Sequence, residues 1–268
     1  MAAPKKPCVT FRDVALAAGD EALLVGADAD GARLFSWTDG GASMPLPLAA
    51  IGLCFVDAGE ASAILALAAD GQVLRVANDG TVATEIVDAS RDGPQNLGGL
   101  SEIRTIAGCA HVVGLRRTVY RCDAPGAWTR LDRGMRCDTT DITDAGLNSI
   151  DGFAADDLYA VGWDGELWRF DGNVWAAAPS PTDRALFRVV CAPDGVVYAS
   201  GQGGLLLKGR GDDWALIEHQ GPKKDVWGAV WFKERLIFAA ADGLFSLAGG
   251  EVTKLKVKLN QSLISEFS

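Results

Sequence analysis

Six cysteines, two histidines and 35 acidic side chains are the groups in this 268-residue chain best suited to chemistry. A zinc site needs Cys and His clustered at short spacing. Cysteines 8, 54, 109, 122, 137 and 191 form no C-x-x-C pair, and His111 and His219 are the only imidazoles. Cys54, Cys109 and Cys191 sit in apolar strand-like runs, where a thiol packs as a small hydrophobe. Cys122 and Cys137, 15 residues apart in a polar stretch, are the one pair to weigh as a disulfide, against the reducing character of a cytosol. Acyl transfer needs a nucleophile, a base and an orienting acid. Neither histidine has a nucleophile motif beside it, and G-x-S-x-G is absent. Gly201–Gly204 lacks the Lys-Ser/Thr and the helix of a phosphate loop, so it reads as a hairpin turn. Most aspartates stand in Asp-Gly turns, where the side chain caps its own backbone, and no calcium ladder of the D-x-D-x-D-G type occurs. The expectation is no catalytic residue, no metal and no cofactor.

Tryptophans and charges carry the remaining signal. Of eight tryptophans, Trp128, Trp175 and Trp214 follow equivalent turns, a placement that favours packing. Trp163 stands in a turn beside Asp164, and Trp227 and Trp231 follow Lys223 and Lys224. An aromatic in a turn or entry segment is suited to anchor a partner, whereas Trp231 alternates with apolar residues as a core residue does. The formal net charge is −10, which suits solubility or a basic partner and disfavours nucleic acid. Residues 101–137 hold seven arginines against three acids, and residues 138–171 hold nine acids against Arg169 alone.

These residues must be positioned by something, and internal periodicity shows what. Six β-type runs start at Glu21, Ser62, His111, Asp157, Val196 and Leu236, separated by 41, 49, 46, 39 and 40 residues. Most lead into a tight turn: Asp30-Gly31, Asp70-Gly71, Asp164-Gly165, Gly203-Gly204 and Asp242-Gly243. Such dipeptides tolerate the positive φ of two-residue hairpins. A second turn follows seven to nine residues later, with a strand between the two. The third repeat is irregular and uses Arg116-Arg117 at its first turn. Four antiparallel strands per unit is the size of a propeller blade, and closing six units leaves only short edges. The reading is an all-β, six-bladed β-propeller in a single domain spanning 1–268, with blades near 8–48, 49–89, 98–137, 146–180, 184–220 and 224–260.

The run from Asp157 to Trp175 resembles the repeat of bacterial propellers in the broad WD-repeat and YVTN-like group. It is also similar to tectonin-type blades, where a strand ending in Gly precedes a Trp-bearing strand and a Trp after Asp-Gly. Val197–Leu207 with Asp213-Trp214 repeats the scheme less fully, and the first three blades depart from it. The tectonin resemblance implies glycan binding as an alternative function.

In a propeller the inter-blade links and the first hairpin turn of each blade share one face, and loops on a rigid scaffold are where binding usually resides. Two links are long: 88–96, with Arg91 and Asp92, and 133–146, with Arg133, Arg136, Asp138, Asp141 and Asp144. These residues, together with Arg116, Arg117, Trp163, Asp164, Lys223, Lys224 and Trp227, are the expected partner-binding set. The chain shows no leader-like apolar core and no stretch near the ~18 apolar residues of a membrane helix, so a cytoplasmic protein without a membrane partner is expected. The functional expectation is non-catalytic binding of a protein, most specifically an immunity-type neutralisation of a basic toxin. A tectonin-like lectin and a propeller-based glycosidase or lyase, the latter working through paired carboxylates, are the alternatives.

Overall fold

A computed structural model describes residues 9–16, 22–37, 43–57, 62–137 and 145–256. Asp138, Asp141 and Asp144 lie outside the described residues. The strands form six four-stranded antiparallel sheets, the blades of a six-bladed β-propeller. Sheet one is β1 (Thr10–Leu16), β2 (Ala22–Asp28), β3 (Gly31–Trp37) and β4 (Ser43–Pro45). Sheet two is β5 (Ala50–Val56), β6 (Ala63–Ala68), β7 (Gln72–Ala77) and β8 (Val82–Ile86). Sheet three is β9 (Leu100–Ile106), β10 (Cys109–Gly114), β11 (Val119–Ala124) and β12 (Ala127–Arg130). Sheet four is β13 (Leu147–Ala154), β14 (Asp157–Gly162), β15 (Leu167–Phe170) and β16 (Trp175–Ala177). Sheet five is β17 (Leu186–Cys191), β18 (Val197–Gly201), β19 (Leu206–Arg210) and β20 (Asp213–Leu216). Sheet six is β21 (Val226–Phe232), β22 (Arg235–Ala240), β23 (Gly243–Ala248) and β24 (Glu251–Lys254). A single-turn helix, α1 (Pro94–Leu97), occupies part of the long link after sheet two, where the sequence showed only a loop.

The chain divides into two compact units, with the third sheet shared between them. The first holds the residues up to Ala110 and Cys122–Trp128. Its core interleaves Leu23, Val25 and Leu34 of sheet one with Leu53, Ala66 and Leu74 of sheet two. The second unit holds His111–Arg121 and the chain from Thr129. There Tyr159, Val161 and Leu167 pack on Leu186, Val189 and Leu207, and Val190 and Leu206 pack on Val226, Phe238 and Leu247. Within each unit the first strand of a sheet lies against the first strand of the next. The Leu53 N–H donates to Asp13 Oδ2 at 2.9 Å, and at the equivalent place the Val189 N–H donates to Ser149 Oγ at 3.1 Å. A polar side chain thus satisfies a backbone donor that the neighbouring sheet would otherwise bury.

The turn chemistry follows the sequence. Asp28, Asp79 and Asp194 each accept the N–H two residues on, at 2.8, 2.8 and 3.0 Å. Arg116 and Arg117 both adopt φ of 56°, and Lys233 and Glu234 take 48° and 59°. The flanking ladders therefore impose left-handed hairpin turns on residues that disfavour them by roughly 1–2 kcal/mol each.

The packing tryptophans behave as expected. Trp175 is fully buried, its Nε1–H donates to Leu131 O at 2.7 Å, and its ring lies 5.2 Å from Phe170. Trp128 Nε1–H donates to Glu85 Oε2 at 3.1 Å, and Trp214 meets Tyr159 edge-on at 6.1 Å. Trp231 stacks on Tyr198 at 5.8 Å. Cys54, Cys122 and Cys137 are free thiols, so no disulfide joins Cys122 and Cys137. Cys122 is buried despite its polar surroundings in sequence, while Cys109 and Cys191 are only half-buried. Sheet pairing, rather than local composition, decides which face of β11 its side chain occupies.

Candidate functional site

In an antiparallel four-strand meander, the turn after the second strand and the exit from the fourth fall at the same end. In the second unit that end carries the 163–166 and 202–205 turns and the links into β17 and β21. The register of each first strand slips by one residue just inside this end. The bulged residue is Asn148 in β13, Phe187 in β17 and Trp227 in β21. In the first unit Arg12 and Ile51 occupy the same position. A bulge re-aims a side chain that would otherwise follow the alternation of the strand.

The bulged residues of sheets four to six make a continuous row. Asn148 Nδ2 donates to Leu186 O at 2.9 Å, next to Phe187. The Phe187 ring stacks on Trp227 with centroids 4.0 Å apart and planes 13° apart. Trp163, in the short 3₁₀ turn Trp163–Gly165, meets Phe187 edge-on at 6.1 Å and 78°. Trp163 is 40% exposed and Trp227 60%, so two large aromatic side chains stand in water with Phe187 between them. The turn holding Trp163 is pinned through its backbone. Asp164 takes φ of 54° at its centre. The Trp163 N–H donates to Gly146 O at 3.2 Å, and the Glu166 N–H to Trp163 O at 2.9 Å.

Charged groups flank the row. The Arg117 Nε–H donates to Glu166 Oε1 at 2.9 Å, and its guanidinium lies 5.0 Å over the Trp168 ring. The bond to Glu166 holds the Arg117 guanidinium more firmly protonated than usual, against the opposing effect of burial. The Arg116 N–H donates to Ala145 O at 2.9 Å, so the 116–117 and 163–166 turns share the 145–146 backbone as an anchor. On the other side Lys223 and Arg184 border a small cavity of about 220 Å³ beneath the 202–204 turn. Asp225 accepts the Gly203 N–H at 2.8 Å, and His219 Nε2 lies 2.8 Å from Gly204 O. The Gly221 N–H donates to His219 Nδ1 at 3.1 Å, which makes His219 a brace for this link. Lys223 and Lys224 are exposed.

Of the residues singled out from sequence, Trp163 and Trp227 are thus joined through Phe187, and Arg116 and Arg117 adjoin them through the shared anchor. Arg133 is placed elsewhere. Its carbonyl accepts the Trp175 N–H at 2.9 Å, beside the turn at the opposite end of β15 from Trp163. Arg136 is exposed on the same segment. Arg91 and Asp92 are exposed and belong to the first unit. Phe187, Asn148 and Glu166 were missed. Aligning Leu186–Cys191 with Val226–Trp231 by the repeat places Phe187 opposite Trp227, and that was the available signal. Among the described residues no group of three or more His, Cys, Asp or Glu is placed to hold a metal ion. No helix among them is long and apolar enough to cross a membrane.

No protein-family model matches the chain. Over 167 residues it is 38% identical to the immune protein Tsi7 of Pseudomonas aeruginosa, a match covering 61% of this chain and 55% of that protein. The chain thus spans about half the length of that relative. Among solved structures, virginiamycin B lyase from Staphylococcus aureus superposes with a TM-score of 0.73 at 10% identity, over 95% of this chain and 89% of that one. The WD40 β-propeller domain of Doa1 superposes with a TM-score of 0.72 at 13% identity, over 95% and 84%. YCF48 bound to D1 peptide gives 0.66 at 15% identity, over 92% and 80%. At these identities the likenesses establish the β-propeller fold alone.

Proposed function

We propose that this chain is a non-catalytic immunity protein that binds and neutralises a protein toxin. The observation that carries the reading is the 38% identity to the immune protein Tsi7 over 167 residues. The row Trp163–Phe187–Trp227 supplies a place for the contact, since solvent-exposed aromatics set on rigid strands and turns are suited to act as binding anchors. The partner surface is an apolar patch that covers the edges of Trp163, Phe187 and Trp227, and the neighbouring cations Arg116, Arg184, Lys223 and Lys224 suit acidic groups at the border of that patch. A net charge of −10 supports faster association with a basic toxin, and the site of action is the cytoplasm. The pattern of 157–175 supports placing the blades in the broad WD-repeat and YVTN-like group. The test is co-expression with the product of the gene beside its own, scoring host growth and complex formation on gel filtration. Restored growth together with an equimolar complex supports the reading. Growth arrest that persists while the folded protein accumulates overturns it.

A further inference from the structure

The repeat lets one gap between sheets be read against the next. Between sheets four and five, the Arg210 guanidinium lies 3.8 Å from the centre of the Phe153 ring and 6.0 Å from that of Tyr159. It bonds to Asp157 and donates to Gly195 O at 3.2 Å. Trp214 closes the same gap against Tyr159. This gap is filled by the protein's own side chains.

The next gap lacks those groups. Arg210 pairs with Asp213 beside the last turn of sheet five, and Ala248 pairs with Glu251 at the same place in sheet six. One residue further on, Val252 stands where sheet five has Trp214. Tyr198 is the counterpart of Tyr159, since it pairs with Lys208 as Tyr159 pairs with Arg169. Trp231 stacks on Tyr198 and takes up part of the space, but a cavity of about 480 Å³ remains, with Ile217 and Leu247 in its walls. That size suits a small ligand or a long side chain.

Charge follows the same logic. The filled gap holds two cations, Arg169 and Arg210, around the single acid Asp157. The open cavity is lined by one cation, Lys208, and by two acids, Asp194 and Glu234. The Tyr198 hydroxyl donates to Asp194 at 3.0 Å, and burial together with that carboxylate pushes the phenol up to about 12. Two stacked rings and an excess of carboxylate form a cation–π environment for which the chain supplies no cation at the Arg210 position.

We propose that the cavity between sheets five and six binds a guanidinium group on a short aliphatic stem, seated where the Arg210 side chain sits in the preceding gap. A peptide arginine and a free guanidinium metabolite share this chemistry. The site lies at the opposite end of sheet five from the 202–204 turn, because Asp194 and the Gly249-Gly250 turn line it, so it is independent of the toxin-binding reading.

The experiment follows the Trp231 indole N–H by ¹⁵N NMR, assigned with Trp231→Phe, as three compounds are titrated. These are acetyl-arginine-methylamide, agmatine and the uncharged isostere acetyl-citrulline-methylamide. Both guanidinium compounds should give a saturable shift, with the citrulline compound at least about tenfold weaker. Ala248→Arg should abolish binding by supplying the missing side chain. Glu234→Gln, at an exposed turn, should weaken it several-fold and serves if the first variant does not fold. Tighter binding of the blocked arginine marks a peptide-borne ligand, and tighter binding of agmatine a small molecule. Equal binding of the citrulline compound, no saturable shift with either guanidinium, or unaltered binding in both variants overturns the proposal.

Discussion

Phe187 and Trp227 stack at 4.0 Å from adjacent sheets because both are the bulged second residue of a first strand. Since Trp227 is 60% exposed, its ring adds little to folding and much to any surface that covers it. Trp227→Ala should weaken partner binding by about 2 kcal/mol or more while leaving the unfolding midpoint nearly unchanged. Trp175→Ala, which empties a buried site, should instead cost about 3–5 kcal/mol of stability. Isothermal titration and thermal denaturation of the two variants separate these roles, and equal binding by Trp227→Ala and wild type would remove the aromatic row from the interface.

Two turns tolerate no side chain. A Cβ on Gly165 would stand 2.0 Å from Thr182 O, and one on Gly204 2.1 Å from Pro222 O, both at positive φ. Gly165→Ala and Gly204→Ala should each cost about 2–4 kcal/mol by urea denaturation, since the obstacle is backbone. At Gly250, where φ is +85° and nothing lies within 4 Å, alanine should cost only about 1 kcal/mol.

Arg75 and Glu85 form a buried ion pair in the first unit, and Glu85 also accepts the Trp128 indole N–H. Burial is the largest single influence and disfavours the charged guanidinium, but the hydrogen bond to Glu85, its negative charge and the contact with Cys122 together outweigh it, so Arg75 stays more firmly protonated than usual. Glu85→Leu should therefore cost about 3–5 kcal/mol by stranding a buried cation. The double variant Arg75→Met/Glu85→Leu should recover most of that loss. A double variant as unstable as the single one would contradict this account.

Asp79 and Asp171 are held below their ordinary 3.8, Asp79 by the Thr81 N–H and Asp171 by the Val174 and Asn173 N–H groups. A carboxylate whose folded pKa is depressed stabilises the protein above its unfolded pKa, and that contribution disappears as pH falls through the folded value. Stability should thus decline as pH drops below about 4, and Asp79→Asn with Asp171→Asn should flatten that slope. Chemical denaturation at a series of acidic pH values measures it.

Burial pushes the Cys54 thiol up from 9.0 to about 12. The folded protein holds that proton more tightly than the unfolded chain, so the stabilisation is complete below pH 9.0 and is lost as pH rises toward 12. Cys54 should resist iodoacetamide at pH 8 in the native protein and react once urea is added, as read by peptide mass spectrometry. Rapid native labelling would show that the core around it opens.

The period of the Asp-Gly turns, the strand count and the packing role of the tryptophans after each second turn were legible without coordinates. Each depends on local backbone geometry, which neighbouring residues dictate. Arg116 and Arg117 mark where that logic ends, because the hairpin register forces both into positive φ against their own preference. Phe187 was not singled out in the sequence, and it is the bulge in β17 that turns it toward Trp227. The conformation of the 133 segment beside Trp175, and the open cavity left by Ala248 and Val252, likewise depend on contacts between residues distant in sequence. Sequence by itself determined six repeated sheets and the turns that join their strands. Tertiary structure decided which side chains meet, since a one-residue slip in register redirects a side chain and only the packed neighbour shows whether the space is filled.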